Sequence, residues 1–314
     1  MKRFALFYLF YFSITAALGQ ANTVKHELGL ITENDSYISE YQDKYYTNGF
    51  FLFYRYLANN NNKNINKKII ELSAGQQIYN PYHGDVYLQA LQDRPFAGYL
   101  FAQASINKFY QDESVLKLSG QLGVLGPASQ AQEVQEAYHG WFQFYEPTGW
   151  QYQIHNALGA QLGLFYSAKL YPSAPSEQID VHGFTDLKLG TICTSATVGV
   201  ISRVSLTDLL PIFNSNLYGA SVGKRNAGDK EAYFYLSPRL NYTLYDATIQ
   251  GSLFDKSSPV TYGIVPFRLN VEAGVRFRFR KVNFSYGIIF NSKEVQNEMD
   301  KRDQYGSIAI SVLL

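Results

Sequence analysis

Four stretches of the chain alternate apolar and polar residues with a period of two. At the C-terminus Ile308, Ile310, Val312 and Leu314 alternate with Ser307, Ala309 and Ser311. Upstream, Leu269, Val271, Ala273, Val275, Phe277 and Phe279 alternate with Arg268, Asn270, Glu272, Gly274, Arg276, Arg278 and Arg280. Ala232, Phe234, Leu236, Leu240 and Leu244 oppose Tyr233, Ser237, Arg239, Asn241 and Thr243. Leu116, Leu118, Leu122 and Val124 oppose Lys117, Ser119, Gln121 and Gly123. A period of two puts each set on its own face of a sheet. Extended along the chain, the pattern predicts about twelve strands, an even number as in closed bacterial barrels. They lie near 23–34, 45–57, 67–79, 95–109, 114–125, 150–170, 178–189, 192–203, 231–245, 264–279, 281–292 and 303–314.

The strands are longer than the five to six residues usual in a soluble sandwich, and aromatic residues gather near their ends. The fold class expected is therefore all-β: an antiparallel transmembrane β-barrel with lipid outside and polar residues inside. Arg280-Lys281 reads as a tight turn and "ANNNNKNINK" (58–67) as a polar loop. The stretch 204–230 falls on the periplasmic side, where connections are usually short. One segment, "LGPASQAQEVQEAYHGWF", loses the alternation and is rich in helix formers. It predicts a short helix near 130–142 in an extracellular loop, opened by a capping box of Ser129 and Gln132. Gln135 and His139 then share one face at i and i+4.

Composition narrows the class. With 314 residues and a net charge of +1, the chain lacks the basic excess of a nucleic-acid surface. The single Cys193 excludes an intramolecular disulfide framework and a cysteine-rich metal site; a small buried or lipid-facing residue is expected. "MKRFALFYLFYFSITAALGQ" has a basic start, an apolar run and a small-residue cut after Gly19, and so reads as a secretory signal peptide over 1–19. The barrel domain would occupy 20–314. Export without a long apolar helix points to the bacterial outer membrane, and a monomer is expected.

Alternating strand direction brings the unusual polar residues to one rim. Glu33, Asn34 and Asp35 end the first strand, Asp43 and Thr47 precede or open the second, Asp93 and Arg94 open the fourth, and the helix joins the fifth to the sixth. Asp35 continues the interior set Lys25, Glu27 and Gly29, and Thr47 shares its parity with Gly49 and Arg55. Asn34 and Arg94 fall on the opposite parity. Asn34, Asp35 and Thr47 supply hard oxygens of the kind calcium takes in sixes to eights; a hydrated loop with an Asx turn is the plain alternative. These carboxylates do not separate calcium from magnesium. Arg94 suits either a lipid phosphate or a rim ion pair. Trp141 and Trp150 read as membrane-interface anchors.

The blocks "ENDSY…DKYYTNG", "DRPFAGYL", "LGVLGPASQ…VQ…YH" and "GWQYQIHN", from Glu33 to Asn156, resemble the lipid A 3'-O-deacylases of the Gram-negative outer membrane. The resemblance implies a 12-stranded barrel with its site between the wall and an extracellular helix. It implies a calcium-dependent hydrolysis of the ester-linked acyloxyacyl chain at the 3' position of lipid A. On the matching blocks, His139 takes the place of the catalytic histidine and Gln135 of the glutamine one turn earlier. Asn34 and Asp35 match the Asn-Asp pair, and Thr47 the polar residue at the start of the second strand. Glu146 is the nearest acidic residue after the histidine, with approximate spacing, and is the remaining candidate metal ligand. Three other readings stay open: an outer-membrane phospholipase of similar chemistry, an inactive family member, and a non-catalytic pore or adhesin, for which the arginine-lined strand 268–280 would serve.

Overall fold

The computed structural model describes residues 23–38, 44–172, 178–224, 230–298 and 302–314. The stretch 1–19 expected to be a signal peptide, and Asp43, lie outside the described residues. Twelve antiparallel strands close into one barrel. They are β1 (His26–Asn34), β2 (Tyr45–Ala58), β3 (Ile65–Asn80), β4 (Ala97–Tyr110), β5 (Val115–Leu125) and β6 (Ala157–Tyr171). β7 (Ile179–Gly190), β8 (Cys193–Val204), β9 (Glu231–Asp246), β10 (Phe267–Phe279), β11 (Val282–Ser292) and β12 (Arg302–Leu313) complete the circuit. β12 pairs with β1, Ile310 opposite Leu30, and leaves no free edge.

The alternation works as the pattern requires. Leu269, Phe277, Ile310, Leu122 and Leu158 are exposed on the outside, where lipid covers them, while Arg268, Arg278, Glu27 and Ser311 are buried inside. In lipid every backbone polar group needs an internal partner, and a closed ladder supplies one. β1 has nine residues and β3 and β9 sixteen each. About nine to eleven tilted residues cross a bilayer, so the longer strands project beyond it.

The long connection between β8 and β9 folds into the barrel. Its Ile212, Leu217, Ala220 and Val222 are buried among Ile69 of β3, Phe109 of β4, Ile201 of β8, Tyr233 of β9 and Leu313 of β12. One loop thus touches strands around the whole circumference and fills the periplasmic end of the lumen. The inward arginines hold it by its backbone. Arg276 donates to the carbonyls of Asn216 and Leu217 at 3.1 Å, Arg278 to that of Asn214 at 2.6 Å, and Lys67 to that of Ala220 at 2.9 Å. Gly223–Lys224 adds a short pairing to Thr23–Val24. The arginine row of β10 therefore anchors a plug. At the same rim Glu113, Asp180 and His182 form a group of potential ligand atoms. Lys169 and Arg203 already neutralise it as ion pairs, and Glu113 also accepts from the Ile212 amide.

Helix α1 (Ala131–Phe142) stands in the β5–β6 connection. Its start differs from the expected capping box. Gln130, at φ 57°, is the N-cap and makes no side-chain cap bond. The Ser129 hydroxyl instead donates to the Gly126 carbonyl at 2.6 Å, closing the preceding turn. A second helix, α2 (Ala247–Gln250), follows β9, capped by the Asp246 carboxylate.

Candidate active site on the outer wall

α1 lies against the outward face of β3 and β4. Gly98 of β4 makes this possible, because a Cβ there would strike Ala131 and Ser129. Gln76 of β3 donates to the Ser129 carbonyl at 2.7 Å. Ile78 of β3, Phe96, Ala131 and Trp150 form a buried apolar cluster between wall and helix. The helix residues that turn inward are Ala131, Gln135 and His139, a stripe at i, i+4 and i+8.

His139 is 2% exposed. The chain after α1 takes a left-handed residue at Gln143, φ 60°, whose amide closes on the His139 carbonyl. That reversal brings the Tyr145 carbonyl to 2.6 Å from His139 Nδ1. A carbonyl only accepts, so Nδ1 carries the proton and Nε2 is the basic nitrogen of the neutral ring. Gln135 accepts from Trp150 Nε1 at 2.9 Å. This fixes its amide so that the NH₂ end is the one turned away from the indole. Trp150 is 1% exposed and packs at a tilt against the Phe96 ring, while Trp141 is 80% exposed. The interface-anchor reading thus fits Trp141 and fails for Trp150, which sits in a one-turn helix before β6 rather than in the strand.

The polar turn of β1 and β2 reaches the same wall. Asn34 accepts from the Ser36 amide at 2.7 Å and donates to the Asn48 side chain at 2.6 Å. Asn48 donates to Thr47 Oγ1 at 3.4 Å, and Thr47 donates to the Ile78 carbonyl at 3.5 Å. A chain of contacts therefore runs Asn34–Asn48–Thr47–Ile78–Trp150–Gln135 across three strands and onto the helix. Parity misled for Thr47. Tyr46 pairs with Tyr79 and Asn48 with Ile78, so Thr47 is the extra residue of a bulge and leaves the lumen-facing set. Asp35 opens a one-turn helix, 1% exposed, and accepts from the Lys44 amide at 3.3 Å. Glu33, two residues earlier, turns into the lumen and accepts from Tyr46 and Ser307.

Two candidate residues sit apart. Arg94 is buried on the lumen side, over the Tyr79 ring, donating to Glu294 at 3.1 Å and to Thr248 at 2.9 Å. Burial opposes its charge, but the Glu294 and Asp246 carboxylates outweigh that and raise its pKa above the ordinary value. Its neighbour Asp93 accepts from the Tyr45 hydroxyl at 3.0 Å and the Tyr82 amide at 2.8 Å. Glu146 is exposed beyond the helix, and it is the adjacent Tyr145 carbonyl that meets His139.

Around the outward face the donor set is oxygen-rich: the Asp35 carboxylate, the Asn34 and Asn80 amides and the Thr47 hydroxyl, all nine-tenths buried or more. Hard oxygens of this kind fit calcium better than a thiolate- or imidazole-preferring metal. Sequence reasoning missed Asn48, Trp150, Asn80 and the Tyr145 carbonyl. The face shared by Gln76, Ile78 and Asn80 was the available signal for the third.

No curated protein sequence matches the chain. Among solved structures, LpxR from Salmonella typhimurium aligns with a TM-score of 0.75 at 18% identity, covering 92% of this chain and 100% of that one. The β domain of the Bordetella autotransporter BrkA aligns at 0.53 and 9% identity, covering 93% and 100%. Both likenesses concern the fold. The family described as outer membrane protein LpxR matches residues 4–314, and this chain belongs to that family of the bacterial outer membrane.

Proposed function

We propose that the chain is a calcium-dependent ester hydrolase that removes the 3'-linked acyloxyacyl chain from lipid A. The observation that carries this reading is His139: a buried imidazole with its proton held at Nδ1 by Tyr145, on a helix packed against the lipid-facing side of the barrel. A base placed there meets lipid rather than anything passing through the lumen.

His139 Nε2 takes a proton from water, and the water oxygen adds to the ester carbonyl. As the tetrahedral adduct collapses, the carbon–oxygen bond to the sugar breaks. The protonated imidazole then returns its proton to the departing sugar oxygen, leaving a free 3'-hydroxyl and a released carboxylic acid. Gln135, held by Trp150, turns its NH₂ end toward the reacting groups and orients them. Asp35, Asn34 and Thr47 are the residues that would hold calcium, with Glu146 as the further carboxylate candidate. When bound, calcium supplies positive charge for the carbonyl oxygen. Arg94 is a structural ion-pair residue in this reading.

The test is expression in a laboratory Gram-negative outer membrane followed by mass spectrometry of extracted lipid A. Wild type should remove one 3' acyloxyacyl unit, and His139→Ala or a calcium chelator should abolish the loss. Unchanged lipid A with folded protein and calcium present would sink the assignment; released phospholipid acyl chains would favour the phospholipase reading.

A further inference from the structure

We propose that Asn80 is a substrate-contacting residue of this site, its Nδ2 donating to the ester carbonyl oxygen while its Oδ1 accepts from the attacking water. The inference rests on the hydrolase reading above. Asn80 ends β3 and is 0% exposed, yet neither Nδ2 nor Oδ1 has a hydrogen-bond partner among the described residues. Burying an unmatched amide is unfavourable, and such groups in native proteins call for a ligand or a catalytic role.

Its place on the strand says what it faces. Asn80 shares the outward face of β3 with Gln76 and Ile78, which meet Ser129 and the Ala131–Trp150 cluster. Two residues of strand advance about 6.6 Å, and four residues of helix about 6 Å. One step beyond Ile78 on the wall therefore matches one step beyond Ala131 on the helix, which is Gln135. Phe96 confirms that level. Continuing the β3–β4 register one pair past Tyr79↔Ala97 sets it opposite Asn80, and it packs at a tilt against the Trp150 ring that holds Gln135. On its other side Asn80 pairs with Tyr45 of β2, two residues from Thr47. The amide thus stands between Thr47 and Gln135.

Asn34 makes the contrast. Both of its amide atoms are engaged within the protein, by Ser36 and Asn48. Asn80, likewise the last residue of its strand, offers the same chemistry with both atoms uncommitted. When water adds to the ester, the carbonyl oxygen gains negative charge, and a fixed N–H in a buried site stabilises it without reorganising. The same amide's oxygen can accept the second proton of the water that His139 deprotonates. One side chain then aligns nucleophile and electrophile.

Two variants test this in detergent micelles with lipid A and calcium. Asn80→Leu keeps the shape and removes both polar atoms; turnover should fall about 10²–10³-fold, as for loss of one oxyanion donor. Its thermal midpoint should equal or exceed that of wild type, since no bond within the protein is lost. Asn80→Asp keeps an oxygen and loses the donor; its turnover should fall alike, with the calcium requirement unchanged. Lipid A binding, followed by tryptophan fluorescence with calcium chelated, should be weaker in Asn80→Leu. Wild-type turnover and binding in Asn80→Leu would overturn the proposal. So would an active Asn80→Asp saturating at lower calcium, which would make the residue a cation ligand. Wild type that binds lipid A more tightly than Asn80→Leu but releases no acid would end the hydrolase reading and leave the contact standing. Wild type that neither binds nor hydrolyses would end both.

Discussion

Trp150 shows how much a single donor can do at this site. Its indole N–H donates to Gln135 Oε1, and its ring closes the apolar seam beside Ile78. Trp150→Phe keeps the tilted ring contact with Phe96 and removes a buried hydrogen bond to Gln135, a change worth about 1 kcal/mol. A lower urea midpoint in micelles should report it, and turnover should drop because Gln135 loses the bond that orients its amide. Midpoint and turnover both at wild-type values would mean that the indole does not position Gln135. The sequence made Gln135 and His139 legible through their i, i+4 spacing within a helix-forming segment. It did not make Trp150 legible, because a tryptophan near a strand end in a barrel looks like an interface anchor until the fold buries it. Nor could it show the Tyr145 carbonyl, since a backbone atom leaves no residue type to read.

At the scale of elements, the strands were readable because lipid outside and charge inside impose the same alternation on each, although the sixth begins at Ala157 and not near 150. The seat of the helix was not. It depends on Gly98, one glycine among 24, whose missing side chain lets α1 approach β4. The bulge at Thr47 was equally hidden, because an inserted residue moves parity without changing composition. Gly98→Val should push α1 off the wall while the barrel ladder stays whole. A displacement of about 1 Å from productive geometry can cost about 10²-fold in rate. Activity should fall by that order, and the heat-dependent shift in gel mobility of a folded barrel should persist. Loss of the mobility shift would show instead that the contact is needed for folding.

For the molecule as a whole, the plug decides what the barrel is not used for. The stretch 204–230 looked out of place in the sequence because its length is wrong for a periplasmic turn; its apolar Ile212, Leu217 and Val222 make sense once they pack into the periplasmic end of the lumen. Removing residues 206–222 should turn a silent protein into one that passes ions in a planar bilayer, where the intact chain should show no steps. Steps from the intact chain would mean that the plug leaves a path. In the proposed reading, with one end of the lumen plugged and the polar site on the outer wall, a lipid would reach His139 sideways, by drifting within its own leaflet. Encounters then depend on molecules per unit area of membrane rather than on concentration in the medium. Diluting the cells would leave the rate unchanged, while thinning the lipid with an inert amphiphile would slow it.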